Sequence, residues 1–216
     1  MKGGKVNDSD RRVKRTRKVL QDAFLALMAE KSFQTISVQD IADRADVNRA
    51  TFYAHFVDKY ALLDHVVGEW FRQVLATRVS SASPFTLGNL HALIVAVLEA
   101  LAEFHGHCKP SDRDLDPLIE ARVQQELEAF LLDWLRRLAP PEMEPRVSRE
   151  TAATVLSWAI FGAGIARTRE PRTASADEIA REILVLLSGG LWRVVKLPAR
   201  VNRETNGTDR VAVLPA

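Results

Sequence analysis

ISVQDIADRADVNRATFYAHFVDKYALL, residues 36–63, carries three helix starts in close succession. Ser37 can accept from the exposed amides of a first turn, and Asp40 three residues on completes a capping-box pattern. Val38, Ile41, Ala42 and Ala45 then give a short helix one apolar face. Asp46-Val47-Asn48 reads as a tight turn whose last residue caps a third helix over Arg49 to Phe56. In that helix Phe52 and Phe56, at i and i+4, point inward. Asp58 can cap a fourth helix, with Leu62, Leu63, Val66, Val67, Trp70, Phe71, Val74 and Leu75 as its inner stripe. Two short helices about a tight turn, flanked by longer ones, decide for an all-α architecture.

Upstream, Leu20, Ala23, Phe24, Leu27 and Met28 fall at helical spacing between Arg11 and Lys31, and Phe33 and Ile36 read as buried plugs in the link. Residues 1–10 read as a flexible basic arm. Net charge over 216 residues is only +2, but residues 1–60 carry 12 basic and 8 acidic side chains against 18 and 20 in the remainder. A cationic front on a slightly anionic body suits a head that faces a polyanion; a solvated basic tail would look the same. Ten glycines in the chain and long proline-free stretches favour helices throughout. No apolar run approaches the roughly 20 residues that cross a bilayer, and no apolar leader opens the chain. A cytoplasmic protein without membrane contact is expected. A single cysteine, Cys108, excludes an internal disulfide framework.

A helix pair of this kind reads DNA only if a small core fixes its angle, its second helix presents polar side chains at the N-terminal end, and helix N-termini face phosphates. Phe24, Ile41, Ala42, Ala45, Val47, Phe52 and Phe56 can form the core, and Arg49, Thr51, Tyr53 and His55 point away from it. Ser37 and Lys59 sit at two helix starts. On pattern alone, a generic three-helix packing unit fits as well.

The same run closely resembles the DNA-binding domain of the TetR family of transcriptional regulators. The shared pattern is a Ser or Thr opening the first short helix, then Ile-Ala, Ala, a turn with Val, Thr-Phe-Tyr, His-Phe, an acidic-Lys step and a Leu pair. With the preceding helix the resemblance covers Arg15 to about Leu63. It implies a three-helix N-terminal helix-turn-helix domain (11–60), a helical ligand-binding and dimerisation domain (61–196) and a flexible tail (197–216). It further implies that Arg49, Ala50 and Thr51 approach base edges and that Tyr53, His55, Ser37 and Lys59 contact phosphate, with Asn48 doing either. An Arg at a base edge suits bidentate guanine recognition, about 1–3 kcal/mol of discrimination. One departure is Asp46, where the family usually has Gly; a left-handed backbone costs Asp less than most residues.

Downstream, Leu87 to Phe104, 118 to 138, Ser148 to Arg169 and Ala176 to Val195 read as helices, with a polar proline-bounded connection over His107 to Pro117. The last two resemble the pair that bundles with a second subunit. Ala152, Ala153, Ala159, Gly162, Ala163 and Ala166 make one small-faced, and Ile179, Ile183, Leu187, Leu191 and Trp192 load the other; packing within one monomer fits the same pattern. Trp70, Phe71, Phe104, His105, Trp134, Trp158 and Phe161 are candidates to line a pocket for an unknown small-molecule effector, though each also fits plain core. His105-Gly106-His107-Cys108 suits metal or redox sensing, or a helix that ends at His105 with Gly106 as its cap. No serine elbow, glycine-rich phosphate loop, zinc-protease pair or carboxylate dyad is present, so no catalytic residue, cofactor or metal is assigned. The sequence therefore points to a ligand-responsive repressor that binds a palindromic double-stranded operator as a homodimer through the last two helices. The alternatives are a TetR-like module that has lost DNA binding, and an enzyme.

Overall fold

The computed structural model describes residues 5–79, 83–107, 109–137, 147–169 and 174–194, and these form helices joined by short links. The helices are α1 (Lys5–Glu30), α2 (Val38–Arg44), α3 (Arg49–Tyr53), α4 (Lys59–Arg78), α5 (Leu87–His107), α6 (Asp116–Arg136), α7 (Arg149–Arg169) and α8 (Ala176–Val194). Single 3-10 turns lie between α1 and α2 (Phe33–Thr35) and between α5 and α6 (Pro110–Leu115). No strand occurs among the described residues.

Helix α1 starts six residues before the expected Arg11, so Lys5 to Asp10 belong to the helix and not to a flexible arm. No glycine or proline lies between Lys5 and Glu30, and once a helix is nucleated each further residue adds a hydrogen bond at little cost. Residues 1–4 and the expected tail, 197–216, lie outside the described residues. Helix ends elsewhere follow their caps. Asp40 N–H donates to Ser37 Oγ (3.1 Å), Thr51 N–H to Asn48 Oδ1 (2.7 Å) and Ala61 N–H to Asp58 Oδ1 (2.7 Å). Ser175 and Glu178 form a second reciprocal capping box at the start of α8.

The head is α1–α3 with the first turn of α4. Leu20, Phe24, Phe33, Ile41 and Phe52 form its core, each fully removed from solvent. Phe33 is the plug between α1 and α4, meeting Phe24 edge-on at 6.1 Å and Tyr60 at 4.9 Å. In the body α6 packs on α7 and α4, and α5 packs on α7, α8 and α4. Residues Leu87–His105 of α5 are long and apolar enough, by length and composition, to cross a membrane, contrary to the expectation that no segment would be. Its Leu90, Leu93, Ile94, Val97 and Leu98 are buried against those three helices, which explains a helix apolar on most sides.

Helix α5 also runs on to His107, so Gly106 does not cap it after His105. The His105 ring sits back on the preceding turn, Nδ1 lying 2.9 Å from the Leu101 carbonyl. The connection expected over His107 to Pro117 contains a 3-10 turn, and Pro117 opens α6 where a missing N–H is harmless.

Candidate nucleic-acid interface

Between α2 and α3 the chain forms a Schellman closure. Val47 N–H donates to the Ala42 carbonyl (3.0 Å) and Asp46 N–H to the Asp43 carbonyl (3.2 Å), with Asp46 left-handed at φ 53°. This turn sets the angle at which α3 leaves α2. Phe52 locks α3 from below, fully buried and 6.0 Å from Phe56. The opposite side of α3 is thereby turned outward: Asn48, Arg49, Ala50 and Tyr53 are exposed, and Thr51 and His55 are half-buried.

The outward residues are ordered among themselves. Arg49 Nη2 donates to the Tyr53 hydroxyl (3.1 Å), and its guanidinium lies 5.4 Å from the Tyr53 ring centroid. Asn48 Oδ1 accepts from both Thr51 N–H and Thr51 Oγ (2.9 Å), and the residue is exposed. The Ser37 hydroxyl donates to Asp40 Oδ2 (2.7 Å) while accepting the Asp40 N–H. Backbone and side-chain hydrogen bonds from Ser37, with Lys31 nearby, hold the Asp40 carboxyl at a pKa of about 2. Exposed Arg11, Arg15 and Arg17 extend the positive surface along α1, and Arg17 lies over the Phe56 ring at 5.9 Å, beside the end of α3.

Lys59 is placed otherwise than the sequence reading implies. Its ammonium donates to the carbonyls of Phe33 (3.0 Å), Gln34 (3.2 Å) and Ile36 (2.8 Å) and stands 4.5 Å over the Phe33 ring. Partial burial lowers its pKa. It closes the link between α1 and α2.

A second pair of residues, missed in the sequence, ties head to body. Lys109 Nζ donates to the carbonyls of Met28 (2.8 Å), Ala29 (3.1 Å) and Lys31 (3.3 Å), capping the C-terminus of α1 from the body. Asp112, buried, accepts the Phe33 N–H (3.0 Å). No local pattern could have revealed this, since the partners lie about eighty residues upstream.

The expected pocket residues do not converge. A partly open cavity of about 800 Å³ lies along the same seam, and of the seven candidates only Trp70 and Phe104 line it, their rings 5.8 Å apart. Phe71 and Phe161 are buried core, and Trp134 is buried with its indole N–H donating to the Ser83 carbonyl (2.8 Å). His105 is half-buried, 3.7 Å from Glu120, and does not line the cavity. Trp158 stands on the outside of α7, 56% exposed. Cys108 and the side chain of His107 lie outside the described residues, as do the side chains of Leu191 and Trp192.

Residues 20–66 match the family model described as bacterial regulatory proteins, tetR family. The HTH-type transcriptional regulator YxbF of Bacillus subtilis is 28% identical over 201 residues, covering 89% of this chain and 50% of that protein. The HTH-type transcriptional repressor KstR2 of Rhodococcus jostii is 23% identical, over 80% of this chain and 89% of its own length. The chain thus spans about half the length of YxbF. Among solved structures, the TetR family repressor AlkX of a Dietzia species superposes with a TM-score of 0.57 at 18% identity, covering 82% of this chain and 98% of that one. The matched segment begins at the buried Leu20 of α1 and ends at Val66 in α4, so it encloses the core, the left-handed turn and α3 together. Over that segment the chain matches the tetR family of bacterial regulatory proteins.

Proposed function

We propose that the protein is a sequence-specific DNA-binding transcriptional regulator, a ligand-responsive repressor that occupies a palindromic operator as a homodimer. The observation that carries this reading is α3: Phe52 fixes it from below while Arg49, Ala50 and Tyr53 stand exposed beside a cationic α1. A packing unit with no partner has no reason to leave an arginine and a tyrosine ordered against each other on its outer surface. Arg49, Ala50 and Thr51 read base edges, and Tyr53 and His55 hold phosphates. The Ser37 hydroxyl and the Asn48 amide add phosphate contacts, and Lys59 supports the phosphate-facing link it closes and reaches a phosphate only by giving up a carbonyl. The names of YxbF and KstR2, as a regulator and a repressor of transcription, agree with this reading.

Dimerisation is supported by the outer face of α7. Val155, Trp158, Ala159, Gly162 and Ala166 are exposed at helical spacing, and Leu186 of α8 is 79% exposed. Apolar surface of this kind is what a partner subunit covers. Ala153, by contrast, turns into the monomer core. Two heads on one dimer read two half-sites about one helical turn apart.

The test is selection of bound sequences from a random duplex pool by the purified full-length protein. Enrichment of one near-palindromic site, with affinity falling steeply as salt rises, is the expected outcome. A folded, dimeric protein that enriches nothing at low salt would overturn the reading in favour of a module without DNA binding.

A further inference from the structure

We propose that the seam between head and body is a binding site for a neutral, predominantly hydrocarbon small molecule, and that its occupancy shifts the head through the Lys109–Asp112 ties. The effect on DNA rests on the regulator reading above; the site itself does not. Three observations lead there, and they are independent of each other.

The first is size and position. The cavity of about 800 Å³ is walled on one side by α1, through Leu25, Met28 and Ala29, and on the other by Val67 and Trp70 of α4 and Phe104 of α5. That volume lies within the range of small-molecule pockets, about 300–1,000 Å³. It lies between the head and the body, not in the interior of the α5–α8 bundle.

The second is the state of the charges. Each charged side chain on the wall already has a partner. Lys18 pairs with Asp22 (2.7 Å) and Glu69 with Arg72 (2.5 Å). Lys109 holds the α1 carbonyls and Asp112 the Phe33 N–H. An ionic ligand would be desolvated here without a counter-charge, which is strongly unfavourable. A neutral one gains from the Trp70–Phe104 wall, and the amides of Gln21 and Gln73 can meet one or two hydroxyl or carbonyl oxygens. The cavity therefore selects by shape and apolar area, with a small polar end.

The third is mechanical. Lys109 and Asp112 line the cavity and are also the groups that stitch the body to the end of α1 and to the plug residue Phe33. A molecule that favours one spacing of α1 against α4 biases those four hydrogen bonds, and with them the position of α2 and α3. Only this difference in affinity between two head positions can move DNA binding.

The probe for the test is N-phenyl-1-naphthylamine, a neutral aromatic molecule whose emission rises in apolar surroundings, added to full-length protein. The expected result is saturable binding at one site per chain, with energy transfer from tryptophan that falls at least threefold in Trp70→Phe. Ala29→Phe and Gln73→Phe, which fill the cavity from exposed positions on α1 and α4, should each weaken binding at least tenfold with unchanged circular dichroism. Phe161→Leu, in the body core, should leave it within twofold. Binding that survives both filling variants but is lost in Phe161→Leu would place the ligand inside the body and overturn the proposal, as would no saturable binding. On the selected operator, the probe should change wild-type affinity at least threefold and Ala29→Phe affinity not at all; binding at the seam without that change would overturn the coupling. A protein that binds the probe at the seam but no DNA would sink the regulator reading and leave the site standing.

Discussion

Asp46 stands at the one non-glycine position in the described chain where the backbone is left-handed, φ 53°. Its two Schellman hydrogen bonds show that the turn closes as it would around glycine. A Cβ in this conformation meets the neighbouring carbonyl, at a cost of roughly 1–2 kcal/mol for most residues and less for Asp. Asp46→Gly removes that strain but adds backbone freedom to the unfolded chain, so it is expected to stabilise the protein by no more than about 0.5 kcal/mol. Chemical denaturation of the two proteins measures it; a lower midpoint for the glycine variant would mean the aspartate side chain makes a compensating contact. Ser37 Oγ, Asn48 Oδ1 and Lys59 Nζ share one property: each is already hydrogen-bonded within the protein. In the proposed DNA complex a phosphate contact from the Ser37 hydroxyl or Lys59 would exchange such a bond, which makes the net gain per phosphate smaller than the bare contact implies.

Helix α7 shows how one element serves two surfaces. Gly164 is buried against α5, and a Cβ built there would run into Leu101 Cδ1 with Leu98 behind it, at 3.6 Å. Gly162, two residues earlier, has nothing within 4 Å in the monomer. Gly164→Ala gains about 1 kcal/mol of helix propensity, but overpacking of a filled core costs roughly 1–3 kcal/mol. The expected net loss is about 1 kcal/mol, read as a fall in the thermal midpoint; an unchanged or higher midpoint would show that α5 and α7 can separate freely. At this scale the sequence was most readable. The caps at Ser37, Asn48 and Asp58 and the apolar spacing of α1 to α4 located each helix to within a few residues, except for the start of α1, which lies six residues earlier than expected. What could not be read depended on distant partners. Trp134 and Phe71 are as apolar as Trp70, yet only tertiary packing decides which of them faces a void. The placement of Lys59 could not be read from its own neighbourhood, because the carbonyls that draw it inward come from a link some twenty-five residues away. Lys109 and Asp112 gave no local signal, being two charges in a polar connection.

For the molecule as a whole, the homodimer proposed above raises the question of how its two heads would be held at a fixed spacing. Each head is tied to its body by Lys109 and Asp112, so its position follows the body, and the bodies must meet on a face that is still uncovered in the monomer. The stripe of Val155, Trp158, Ala159, Gly162 and Ala166 on α7, with Leu186 on α8, is the face we propose: its small residues would let a partner helix approach closely and Trp158 would supply the large apolar area. Trp158→Glu places a charge at its centre without touching the monomer core, because the side chain is more than half exposed. Burying an unpaired carboxylate against a partner is strongly unfavourable, so the variant is expected to remain folded and become monomeric. Its affinity for the selected palindrome should then fall by about 10²–10⁴, the effective-concentration advantage of two linked heads, while affinity for a single half-site stays the same. Sedimentation equilibrium and operator titration on the same preparation separate the two effects. A Trp158→Glu protein that is still dimeric at micromolar concentration would move the interface elsewhere. A monomer that keeps full palindrome affinity would mean that the heads meet on DNA and need no partner in solution.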